Sequence, residues 1–313
     1  MGKSDQVLSG LRIVELGTDV AAANTGRLLA AYGADVITVE PPTGHPIRYL
    51  PPWAEADDTE SAEHDPQTSI LFAYLGTSKR SITLDLKKPE DVSTATSLVL
   101  NSDAVIDSYR PGELASLGID LDHLASKKPS LSIVKITPYG QTGPNSTWSA
   151  TSLTSAASGG QMYLTGDEDK PPLLTAGHQA YYQASLHAFG ALLAALYAAR
   201  ETGVGDIADI SLQEVQAATL EGAGPSALWF HSEQSRGGNN PRALWGVHPC
   251  KDGWIGVASM PRQTHSVLDV IGMSDLKDDP LFKENVWSAE ADDLLRHIVP
   301  AFTESHTAEE IFR

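Results

Sequence analysis

A single cysteine, Cys250, stands in the 313 residues, so no disulfide can form within the chain. The scarcity fits a reducing compartment. Cys250 lies in VHPCKDGW, ahead of a tight turn, which predicts a buried structural thiol rather than a nucleophile. No apolar run approaches the roughly 20 residues that a bilayer-spanning helix needs. The opening MGKSDQVLSG has no apolar segment of the signal-peptide kind. The expectation is a cytoplasmic protein with a short disordered lead-in. Positive charge is also scarce: 22 Lys and Arg stand against 40 Asp and Glu, for a formal net charge of −18. That balance argues against nonspecific nucleic-acid binding and against an anionic membrane surface. It leaves room for an anionic small ligand, because the field near a site is set by local groups.

What is present is strand–helix alternation. Leu11–Leu16 and Val36–Glu40 read as buried strands around a helix over Asn24–Tyr32 that stops at Gly33. This order predicts a parallel pair with a right-handed crossover. Glu40 at the second strand's end invites a dinucleotide-binding reading, but the first turn, GTDVAAANTG, has no GxGxxG. Pro41–Gln67 is irregular, and Glu55–Asp65 holds six acids and no Lys or Arg, a solvated loop. Strands at Ser81–Leu86, Ala104–Asp107 and Ser132–Thr137 alternate with helices at Pro89–Leu100, Leu114–Leu117 and Leu121–Ser126. The alternation predicts a doubly wound, Rossmann-like α/β domain. His178–Arg200 is Ala- and Leu-rich on nearly all faces, which predicts a central buried helix. Asp206–Leu212 reads as a strand leading into another helix. Gly222–Pro225 marks a boundary, giving a large domain over 1–222 and a smaller α+β domain over 223–313. The latter opens with a glycine turn at Arg236–Pro241 and a hairpin around Lys251-Asp252-Gly253. The chain ends within an amphipathic pattern begun at Thr307, which predicts a longer parent chain.

Against the acidic background, Lys79 and Arg80 precede one predicted strand and Arg110 follows another, directly before Pro111-Gly112. Loops at strand ends are where open α/β sheets bind ligands, and basic side chains there suit phosphate.

The ordered set LSGLRIVELG, LLAAYGADVITVEPPTG, TSKRSITLDLK, YRPGELASLGID, YGQTGP, SGGQMYLTGDEDKPP, ARETGVGD, SLQEV, RGGNNP and HPCKDGW resembles the family III coenzyme-A transferases, a group that includes formyl-CoA and carnitine-CoA transferases and α-methylacyl-CoA racemases. The resemblance implies a CoA-binding α/β domain, a small second domain and an interlocked homodimer. It also implies transfer of CoA from an acyl-CoA donor to a carboxylic acid, with CoA thioesters as substrates and neither a prosthetic group nor a metal. Family CoA-contact positions fall on Val20, Arg48, Leu75, Gly76, Lys79, Arg110 and Tyr139. Gly76 departs from the family, which usually carries a polar side chain there. Family chains also continue past this C-terminus and return to the large domain.

One departure bears on chemistry. Family transferases use an aspartate at the start of the long helix, and that position is Tyr181, with no carboxylate between Asp169 and Glu201. The racemase version needs a histidine as well, and that position falls near Ala150. Three accounts follow. Another residue supplies the chemistry, with Asp169, His178 and Glu214 as candidates. Alternatively, the chain is a silent subunit or half of a tandem or heteromeric enzyme. Or it only binds acyl-CoA, with Tyr181 orienting the substrate. Gly237 and Gly238 occupy the region where transferases place a flexible loop over the site, and their N–H groups are candidate oxyanion donors.

Overall fold

Ile13, Val14 and Leu16 are stripped of solvent on both faces because their strand, β1 (Arg12–Leu16), lies between two parallel neighbours. Strands covered on both faces read as continuous apolar runs, which is what makes this one visible in the sequence. The computed structural model describes residues 6–54, 65–220, 222–284 and 288–313; the bulk of the acidic Glu55–Asp65 stretch lies outside them. The chain divides into two compact units, Met1–Gln161 with Thr175–Glu221, and Met162–Leu174 with Gly222–Arg313. The second unit resumes at Gly222, within the GAGP stretch. Met162–Leu174, which the sequence places in the large domain, instead packs into the second unit.

In the first unit β1 is followed by α1 (Val20–Ala31), β2 (Asp35–Glu40), α2 (Ile70–Leu75), β3 (Arg80–Thr83) and α3 (Pro89–Leu100). Then come β4 (Ala104–Asp107), α4 (Glu113–Ser116), α5 (Leu121–Lys127), β5 (Ser132–Thr137), α6 (Ser152–Ser158), α7 (Gln179–Thr202), β6 (Ile207–Ser211) and α8 (Leu212–Ala218). Among the described residues six parallel strands form one sheet in the order β3-β2-β1-β4-β5-β6. This is the doubly wound order, in which the winding reverses between β1 and β4. One face of the sheet packs Leu29, Leu192 and Val134 into a core. The other packs Val14, Val99, Leu124 and Ile133. Each such aliphatic side chain contributes about 1.5–3 kcal/mol by leaving water.

Three local expectations change. The first helix begins at Val20, not Asn24, because Asp19 caps it: the Asp19 carboxylate accepts the Ala22 N–H at 2.9 Å. The third strand shortens to β3, an edge strand whose residues are largely exposed. And α7 is buried on one face only, through Ala180, Ala184, Ala188 and Leu192, while Leu186 and Tyr197 on the same helix are exposed. Its mostly small apolar residues look alike on every face in the sequence, and only the sheet chooses the buried one.

The second unit contains α9 (Ala223–Phe230), the antiparallel hairpin β7 (Trp245–Cys250) and β8 (Gly253–Ala258), then α10 (Thr264–Val270), α11 (Pro280–Glu284), α12 (Ala289–Thr303) and α13 (Ala308–Phe312). Leu268, Phe282, Leu295 and Val299 form its core. Cys250 is buried, as its sequence context predicts, with its thiol 3.4 Å from Asp252.

Candidate functional site

The reversal between β1 and β4 opens a crevice at the strands' carboxyl ends, the position where doubly wound sheets receive ligands. Two chain exits meet there. The loop after β1 carries Thr18 and Asp19, and the loop after β4 carries Ser108, Tyr109 and Arg110. The Thr18 N–H donates to the Ser108 hydroxyl at 2.9 Å and ties the exits together. The resulting cavity, about 750 Å³, is lined by Asp19, Ser108, Arg110, Trp148, Ala150 and Tyr181 among others, all from the first unit. A second cavity of about 410 Å³ shares Thr18, Asp19 and Tyr181 and adds Val20 and His178.

The charges around the crevice are perturbed. Burial pushes the Asp19 carboxyl up to about 6, even though the N–H groups of Ala22 and Ala21 and the Ser108 hydroxyl favour its anion. Burial likewise raises Asp107, at the end of β4, to about 7, against the Tyr109 N–H that its carboxylate accepts at 2.8 Å. Tyr181 sits in the first turn of α7. Burial, helped by the Asp19 charge, pushes its phenol to about 12, so it stays protonated at neutral pH. Arg110 is exposed at the cavity wall, and among the described residues no acid pairs with its guanidinium.

Two of the three cations expected to converge on a phosphate are instead neutralised inside the protein. The Lys79 ammonium donates to both Glu15 oxygens, at 3.0 and 2.9 Å, and to the Ala23 carbonyl at 3.1 Å. The Arg48 guanidinium grips Glu40 in a bidentate pair, at 2.8 and 3.1 Å, and lies 3.7 Å from the centre of the Phe72 ring. Burial alone would raise the Glu40 carboxyl. Arg48, the Ser81 hydroxyl and the His45 N–H reverse that and hold it at about 2. This leaves Glu40 no free valence for a ribose hydroxyl and removes the dinucleotide reading. Arg48, Leu75, Gly76 and Lys79 share a smaller cavity of about 150 Å³ with Glu15, Glu40 and His45. Arg80, paired with Asp35 at 2.6 Å, and Lys79 stand where β3 begins, whereas Arg110 stands beyond the carboxyl end of β4.

The remaining expected residues scatter. Val20 and Leu75 are core residues, 3% and 1% exposed, so they form the floor of their cavities. Gly76 caps the end of α2. Tyr139 meets Trp148 edge to face, 6.1 Å between ring centres, beside the large cavity. His178 is the N-cap residue of α7, with its ring 6.3 Å from that of Tyr181. Glu214 is exposed in the first turn of α8, away from the cavity lining. Asp169, Gly237 and Gly238 belong to the second unit, where Asp169 is exposed. Gly238, at φ +60°, donates its N–H to the Gly166 carbonyl at 3.0 Å. That donor is therefore not available to an oxyanion, and a turn is the better account of the pair.

Asp19, Asp107 and Ser108 carry no signal strong enough to pick them out of the sequence. A carboxylate ahead of VAAANTG is an N-cap signal. It is hidden because the residues after it carry no amphipathic pattern. Among the described residues no cluster of His, Cys, Asp and Glu is arranged to hold a metal, and no helix is long and apolar enough to cross a membrane.

Comparison with known proteins agrees with this architecture. The family model described as CoA-transferase family III matches residues 8–313. The succinyl-CoA:(R)-benzylsuccinate CoA-transferase subunit BbsE of Thauera aromatica is 30% identical over 287 residues, covering 90% of this chain and 68% of that one. The succinyl-CoA–D-citramalate CoA-transferase of Chloroflexus aurantiacus is 30% identical over 313 residues, covering 97% and 74%. The crystal structure of a CAIB/BAIF family protein from Brucella suis superposes with a TM-score of 0.79 at 26% identity, over 98% of this chain and 80% of that one.

Proposed function

This chain belongs to CoA-transferase family III, and on that premise we propose that the crevice between β1 and β4 holds the CoA thioester whose transfer it carries out. The reaction passes CoA from an acyl-CoA to a carboxylic acid and returns the donor's acid. It conserves charge and oxidation state, so no electron carrier is part of the proposal. The supporting observation is the cavity of about 750 Å³ at the switch point, with the Arg110 guanidinium, unpaired among the described residues, on its wall. Its size is that of a small-molecule site, and a guanidinium grips phosphate oxygens bidentately. Two relatives are named for succinyl-CoA, which makes succinyl-CoA the first donor to offer.

In calorimetry the protein is expected to bind CoA, and Arg110→Gln to weaken binding about tenfold, the scale of one solvent-accessible charge-assisted hydrogen bond. Added salt should weaken the wild type more than the variant. Equal affinity in the two proteins would remove Arg110 from the site, and no heat with CoA or succinyl-CoA would remove the reading.

A second reading is that the chain is a CoA-binding subunit completed by a related partner. Tyr181 at the family's aspartate position favours it, and so does a relative named as a subunit. In either form we propose a cytoplasmic dimer, homomeric or heteromeric. The exposed Leu186 and Tyr197 of α7 are candidates for its contact surface.

A further inference from the structure

We propose that Asp19 is the carboxylate that accepts the acyl group and then CoA, standing in for the aspartate that Tyr181 displaces. This rests on the reading of the crevice as the thioester site.

Tyr181 and Asp19 line the same two cavities, from opposite elements: the first turn of α7 and the residue that opens α1. A carboxylate lost from one wall is present on the other. One Asp19 oxygen accepts the Ala22 N–H, the Ala21 N–H and the Ser108 hydroxyl also stabilise the carboxylate, and the residue so held lines both cavities. Ser108 accepts from the Thr18 N–H, so its own proton is directed elsewhere, and Asp19 is its acidic neighbour. A carboxylate nucleophile must be ionised yet poorly hydrated. An Asp19 carboxyl raised by burial to about 6 is mostly ionised above that pH, while the protein around it strips much of its water. Tyr181 cannot serve in its place, because its phenol is held near 12. A phenol that keeps its proton is instead a hydrogen-bond donor, suited to the oxygen of a tetrahedral intermediate.

The steps balance without an outside reagent. An Asp19 oxygen adds to the thioester carbonyl carbon, the C–S bond breaks, and CoA departs as a thiolate, leaving an aspartyl–acyl anhydride. The thiolate attacks the aspartyl carbonyl carbon and releases the donor acid as its carboxylate. An aspartyl–CoA thioester remains. The acceptor carboxylate attacks that carbonyl and expels the thiolate. The thiolate then takes the acceptor acyl group and regenerates Asp19. No net proton is consumed.

The test is intact-mass analysis of the full chain after incubation with succinyl-CoA, with peptide mapping and hydroxylamine treatment. The wild type is expected to carry a hydroxylamine-labile adduct on Asp19. Asp19→Asn keeps the oxygen that caps α1, and should fold and bind CoA within about threefold of wild type while losing the adduct and at least a hundredfold in turnover. Adding Tyr181→Asp to Asp19→Asn should restore an adduct, now mapped to position 181, because both positions face the same cavities. An adduct of wild-type yield in Asp19→Asn, or one mapped to Asp169 or Glu214, would overturn the assignment. So would a wild type that binds CoA yet forms no adduct and turns nothing over. Failure of the wild type to bind CoA at all would instead overturn the reading of the crevice.

Discussion

Lys79→Met is expected to destabilise the first unit by about 3–5 kcal/mol, the usual penalty for removing one partner of a buried ion pair. Lys79 and Glu15 have side chains 5% and 0% exposed. Each ammonium proton has an acceptor: the two Glu15 oxygens and the Ala23 carbonyl. Glu15 is held further by the Thr38 hydroxyl at 3.2 Å. Helix α1 passes so close above it that a Cβ on Gly26 would lie 1.9 Å from a Glu15 oxygen. With the ammonium gone, the carboxylate has neither water nor a counter-charge. The double variant Lys79→Met with Glu15→Leu should recover most of the stability, since no unpaired charge remains. Urea denaturation of the three proteins decides the matter. A Lys79→Met protein as stable as wild type, but weaker at binding CoA by tenfold or more, would return Lys79 to the ligand and sink the structural role.

The second large effect has the opposite sign. Asp107→Asn is expected to stabilise the protein at pH 8 and to leave it nearly unchanged at pH 3. Burial raises the Asp107 carboxyl from 3.8 to about 7 in the folded state. Between those values the folded protein keeps a proton that the unfolded chain has released, so stability falls as pH rises through that window. Above pH 7 the accumulated cost is up to about 4 kcal/mol, because each pH step across the window adds about 1.36 kcal/mol. Asparagine keeps the oxygen that accepts the Tyr109 N–H and carries no charge to bury. Equal stability of variant and wild type across pH 3 to 8 would show that Asp107 is not perturbed. A destabilising carboxylate beside the crevice is the kind of feature that functional sites retain.

How much of this is legible in the chain depends on whether the signal is local. The parallel strands β1, β2, β4 and β5 are covered on both faces, so each announces itself as a short apolar run. The sheet order follows from alternation and handedness. The ion pairs are not legible. Lys79 lies 64 residues from Glu15, and nothing near TSKRSITLDL reveals that the partner is a buried glutamate on another strand. Arg48 and Glu40 are close in sequence, but the turn that folds one back on the other, held by the His45 N–H, has no periodicity to read. Three basic residues therefore look like three ligand contacts, and among the described residues the fold leaves one, Arg110, uncommitted. Asp19 is hidden for a related reason. The missing family aspartate points to carboxylates near position 181 in sequence, while the fold supplies one from the far end of the first unit's chain, across the crevice.

The central claim is that the switch-point crevice between β1 and β4 receives the thioester. Hydrogen exchange of the full chain with and without saturating CoA tests it most directly. The account predicts slowed exchange of the amides in residues 18–22, 108–113 and 147–150, with little change in 45–48 and 76–81. Protection confined to those last two segments would contradict it, by moving the ligand to the Arg48 and Lys79 cavity.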